Sequence, residues 1–142
     1  MDGLIGLHLT ALGTWTGIIA VELLYEIAGW RRDLDPVVVA RLHRWTDRYL
    51  ELPILGLVVA SGALLWRHTG FSVASDLVWK MGLGLAAVAF NVLCWLLVEL
   101  RAKIADPEAS HRFSARMWLV VSPGFALGIA ALALGGQRAG WW

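Results

Sequence analysis

From Met81 to Val98 no charged side chain interrupts the chain, and the only amide is Asn91. A run of that character is what a bilayer core requires of a helix, about 20 apolar residues rising 1.5 Å each. Comparable runs recur along the sequence, giving expected spans of about 4–28, 50–66, 77–100 and 117–134 in the 142 residues. Composition agrees, with 58% hydrophobic residues, 16% charged residues and nine Trp. A soluble domain of this size carries roughly half apolar and about a quarter charged residues. The expected fold is therefore an all-α membrane protein, a single domain over 1–142 with four transmembrane helices. The lone Cys94 excludes an internal disulfide and a cysteine-based metal cluster. The first apolar run lacks a basic leader and is too long for a cleaved signal, so it is read as a retained span.

The chain also echoes itself. His43-Arg44-Trp45-Thr46-Asp47-Arg48 is followed 68 positions later by His111-Arg112-Phe113-Ser114-Ala115-Arg116, and each copy opens an apolar run. A Gly stands thirteen residues after each His, at Gly56 and Gly124, with Pro53 or Pro123 before it. Glu22 is echoed by Glu99, and Asp35-Pro36 by Asp106-Pro107. Such a duplication predicts two hairpins related by a pseudo-twofold axis along the membrane normal. Each Asp-Pro pair reads as an N-cap followed by proline at the first helical position. Helix two should then run from Pro36 to about Trp66, roughly 45 Å, with Pro53 bending it. Of the Lys and Arg residues, Arg31, Arg32, Arg41, Arg44, Arg48, Arg101, Lys103, Arg112 and Arg116 fall on one side, and only Arg67, Lys80 and Arg138 on the other. The positive-inside rule makes the first side cytoplasmic, so both termini are expected outside, in a bacterial inner membrane. Trp141-Trp142 at the end suits an interface anchor.

Two groups of residues are candidates for chemistry. The duplication predicts that Glu22, His43, Glu99 and His111 converge on the cytoplasmic side. Asp47 and Glu51 follow His43, and Glu26 follows Glu22, on the same helix faces. Carboxylates and imidazoles converging in a four-helix bundle can hold a divalent metal ion, although no Glu-x-x-His motif occurs. The same residues would serve an interfacial ion-pair network with Arg44, Arg48, Arg112 and Arg116. On the other side stand His8 and Lys80. A histidine in a membrane helix suggests function by default, and neutral imidazole is an axial ligand for haem iron. Lys80 would pair with a propionate or snorkel to the headgroups. Gly3, Gly6, Gly13, Gly17, Gly82 and Gly84 are expected to be close-packing positions between helices.

Leu7-His8 with Trp15 seven residues on, Trp79-Lys80 opening span three, and Arg112-Phe113-Ser114 before the last span resemble the membrane superfamily of CopD copper-resistance proteins and the HemJ-type protoporphyrinogen oxidase. The resemblance covers most of the chain. It implies a compact helical bundle and, in the HemJ branch, a b-type haem with His8 and Lys80 needed for activity. Trp15 and Asn91 would then lie at the cofactor, Asn91 standing where HemJ proteins carry a His eleven residues after the Lys. Glu22 and Glu26 occupy the part of span one where HemJ proteins have an Arg-containing motif, and Met1, Met81 and Met117 are too few for the methionine-rich copper features of CopD.

The leading functional expectation is thus a HemJ-like membrane redox protein that binds haem b and acts on a porphyrinogen or in electron transfer. A non-enzymatic subunit of a respiratory or photosynthetic complex is an alternative, since nine Trp and long apolar faces suit lateral contacts in a homo-oligomer or larger assembly. A divalent-metal-handling protein is another. Phosphate loops, nucleophile elbows and basic-aromatic stripes for nucleic acid are absent.

Overall fold

The structure is a computed structural model that describes residues 2–71 and 74–138; Trp141 and Trp142 lie outside the described residues. The helices are α1 (Asp2–Trp30), α2 (Pro36–Thr46), α3 (Leu52–His68), α4 (Ser75–Arg101) and α5 (Pro107–Arg138). A wide π turn, Asp47–Glu51, joins α2 to α3, so Pro36–His68 is one continuous helical rod. Four helical segments are long and apolar enough to cross a membrane.

The helix starts follow the Asp-Pro reading. Asp35 caps α2 by accepting the Val37 N–H at 2.8 Å, and Asp106 caps α5 by accepting that of Ala109 at 2.7 Å. Between α1 and α2 the chain reverses through Arg32, which holds a positive φ of 65° while the Asp33 N–H bonds back to the Ala28 carbonyl. Pro53 acts differently from a simple bend. It has no N–H for the carbonyl one turn back, and the helix relieves this upstream, where the Leu52 N–H reaches Asp47 in the wide turn.

The packing is that of a protein turned outward. Large apolar side chains such as Leu24, Trp79 and Leu119 are mostly exposed, Leu119 at 79%. The buried set is instead mostly small or polar, including Ala11, Ala40, Ala87, Ser61, Ser110 and Ser114, with Val39, Leu55, Val58, Val98 and Met117 among them. In lipid this is the stable arrangement, because tails solvate leucine as well as a protein core does and helices gain mainly from close approach and internal hydrogen bonds. The main packing is within two hairpins, α1 on α3 and α4 on α5, with α2 wedged among α1, α4 and α5.

The glycines that permit close approach are not the expected ones. A Cβ at Gly3, Gly6, Gly13, Gly17, Gly82 or Gly84 would meet nothing within 4 Å. The tight positions are Gly29 against Val39, Gly62 against His8, Gly135 against Lys80, and Gly124, where a Cβ would overlap Phe90. A count of glycines along a span does not reveal which face meets a neighbour.

Candidate cation site

Where α2 wedges between the hairpins, the interior fills with ionisable side chains. Glu22 and Glu26 come from α1 one turn apart, His43 from α2, Asp47 and Glu51 from the wide turn, and Arg101 from the last turn of α4. All six are buried. The wide turn matters here. In a regular helix residues at i, i+4 and i+8 drift around the axis, and a widened turn offsets that drift, so His43, Asp47 and Glu51 all face inward.

Glu26 is the anchor of the cluster. One oxygen, Oε1, accepts from Arg101 and from His43 Nδ1 at 2.7 Å; the other accepts from Ser114 Oγ at 2.8 Å. Arg101 is held in turn by Ser110 Oγ and the Pro36 carbonyl, and Trp30 donates to Ser114. A buried carboxylate with an Arg partner and several donors is satisfied. Because His43 Nδ1–H is committed to Glu26, its Nε2 is left facing the opposite side of the ring, where a neutral imidazole carries its lone pair.

That lone pair faces two further carboxylates. His43 Nε2 lies 3.7 Å from Glu22 Oε2 and 3.7 Å from Asp47 Oδ1. Ligand atoms of Glu22, His43 and Asp47 all fall within 4.8 Å of one another. Both oxygens of Asp47 and Oε1 of Glu22 are buried without a hydrogen-bond partner among the described residues. Glu51 differs: its Oε1 accepts from Trp15 Nε1 at 3.0 Å and from Asn91 Nδ2. Four buried carboxyl groups thus share one arginine and one histidine. Such an excess in a membrane interior is offset by a bound cation or by protons.

The expected four-residue set divides. Glu22 and His43 meet, but Glu99 lies apart, between Arg44 at 3.0 Å and Arg48 at 2.7 Å near the surface. His111 is half-buried and lines a separate shallow cavity with Trp30 and Trp118. The ion-pair reading holds for Glu99 with Arg44 and Arg48, while the residues nearer the axis form a different kind of site.

The residues assigned to a cofactor by resemblance also divide. Trp15 and Asn91 converge on Glu51, at the floor of a cavity between the hairpins. His8 turns toward α3, its Nδ1 2.9 Å from Ser61 Oγ, and Lys80 packs against Gly135; neither lines that cavity. Sequence reasoning missed Arg101, Ser110 and Ser114. Arg101 read as a charge that sets topology, indistinguishable in sequence from Lys103, and nothing marked the serines as inward-facing.

The fold and its polar centre define a multi-pass helical membrane protein with an acidic, histidine-containing interior. Comparison with protein-family models, with curated proteins and with solved structures finds no match.

Proposed function

We propose that this is a metal-handling protein of the bacterial inner membrane, which holds a divalent transition-metal ion through Glu22, His43 and Asp47. The observation that carries this reading is Asp47, 1% exposed, with neither oxygen hydrogen-bonded among the described residues and Oδ1 3.7 Å from His43 Nε2. A metal about 2.0–2.2 Å from tetrahedral ligands sets them about 3.3–3.6 Å apart, close to the 3.7 Å separations seen here. Glu26 on the far nitrogen is the carboxylate–histidine support that metal ligands commonly have. Imidazole and carboxylate suit zinc, manganese or ferrous iron. The preponderance of Lys and Arg around this end of the bundle supports placing it near the cytoplasmic face, with both termini outside.

Haem through His8 has less support, because the cavity between the hairpins is lined by neither His8 nor Lys80. Metal content and a visible spectrum of the detergent-purified protein test both readings. We expect about one divalent ion per chain, lost in the isosteric Asp47→Asn and retained in His111→Gln. A metal-free protein that takes up no zinc, manganese or iron in titration would refute the site. A Soret band lost in His8→Ala would restore the haem reading.

A further inference from the structure

The polar centre is open on one side. Glu22 and Glu51 form the floor of a cavity of about 490 Å³ between the hairpins, within the roughly 300–1,000 Å³ typical of small-molecule sites. It extends along α1 from Leu9 to Glu22, about 20 Å at 1.5 Å per residue. Trp15, Phe90, Trp118 and Phe125 supply aromatic walls, and the rest of the lining is largely aliphatic. No Lys, Arg or His is among the described lining residues.

That lining restricts the occupant. An apolar anion would meet two carboxyl groups and no cation. A neutral apolar molecule would leave Glu22 Oε1, which is buried and has no hydrogen-bond partner, still unsatisfied. A cation with an apolar body satisfies the whole surface: its charge meets Glu22 and Glu51, its body replaces lipid against the aliphatic walls, and the aromatic faces add cation–π attraction. We propose that the cavity binds a lipophilic organic cation, a hydrophobic ammonium or phosphonium taken from the bilayer with its charged centre toward Glu22 and Glu51. The proposal stands apart from the metal reading, although Glu22 belongs to both sites.

The test is titration of the detergent-purified full chain with tetraphenylphosphonium, followed by tryptophan fluorescence and equilibrium dialysis, with tetraphenylborate as the anion of the same shape. Saturable phosphonium binding is expected, preferred over the borate by about tenfold or more. Glu22→Gln should weaken it about tenfold by removing the carboxyl group that can ionise against the cation. Gly13→Leu, at a lining position where a Cβ would meet nothing within 4 Å, places an aliphatic side chain in the cavity and should weaken it as much, which keeps the test decisive if Glu22→Gln fails to fold. Equal affinity for the two ions, absence of saturable binding, or full affinity in either folded variant would overturn the proposal. Asp47→Asn separates the two readings, since it should abolish metal uptake and leave phosphonium binding in place.

Discussion

The two copies of the His-Arg-aromatic-hydroxyl motif fold into different surroundings. In the first, His43 and Asp47 point into the bundle and Thr46 lies near the surface. In the second, Ser110, Ser114 and Met117 are buried while His111 is half-buried and Ala115 exposed. The inward pair thus sits at His43 and Asp47 in one helix and, one motif position earlier, at Ser110 and Ser114 in the other. One residue is about 100° of rotation at 3.6 residues per turn, enough to exchange a ligand face for a packing face. The histidine of the first copy and the serine of the second converge on the same carboxylate, Glu26. A repeated sequence has been used once to build a charged centre and once to support it.

The largest expected effect contrasts two arginines. Arg101→Met leaves Glu26 buried without its strongest partner and should destabilise the fold by about 3–5 kcal/mol. Arg112→Met removes an exposed charge and should stay within about 0.5 kcal/mol. Denaturation in mixed micelles compares them, and similar losses would show that Arg112 of the second motif is as integral to the centre as Arg101. Next come the paired glycines. Gly124→Ala forces a Cβ onto Phe90 and should cost about 1–3 kcal/mol. Gly56→Ala meets open space and should be neutral or gain about 0.5–1 kcal/mol from helix propensity. The reverse ranking would mean that the α4–α5 hairpin is packed otherwise than described.

Four helices, their Asp-Pro starts and the membrane setting were legible in the sequence, because hydropathy and capping act locally. So was part of the centre: Glu22, Glu26, His43, Asp47 and Glu51 share helix faces by spacing alone. What spacing does not convey is rotation of one helix against another. The repeat therefore suggested Glu99 and His111 as partners, whereas tertiary packing brought in Arg101, Ser110 and Ser114. The wide turn before Pro53 was legible only as a perturbation, since proline removes a hydrogen bond without dictating how the helix relieves it.

The histidines sharpen the comparison at the level of binding. His43→Gln should lower metal affinity by about 10–100-fold, and His111→Gln should leave it unchanged. Isothermal titration with zinc reads both. Affinity should also fall as pH is lowered, because Glu22, Asp47 and His43 coordinate only when deprotonated and the neighbouring Glu26, Glu51 and Arg101 supply no alternative ligand set. A pH-independent affinity would place the ion elsewhere.

A small effect is expected for Glu99, the residue that the repeat pairs with Glu22. Its carboxylate lies between Arg44 and Arg48, whose side chains are 43% and 45% exposed. Pairs with arginines this accessible contribute about 0.2–1 kcal/mol and are screened by salt, because water solvates the guanidinium groups well when the carboxylate is removed. Glu99→Gln should therefore lower stability by no more than that, by less still at high ionic strength, and should leave metal affinity as it was. Glu22→Gln, at a position 6% exposed, should abolish the ion's effect on stability while changing the metal-free protein little or even favourably, since it removes a carboxyl group from an interior with too few cations. Melting curves of both variants with and without zinc decide the matter. If Glu99→Gln loses the zinc-dependent stabilisation and Glu22→Gln keeps it, the two copies have exchanged roles and the centre lies around the second motif.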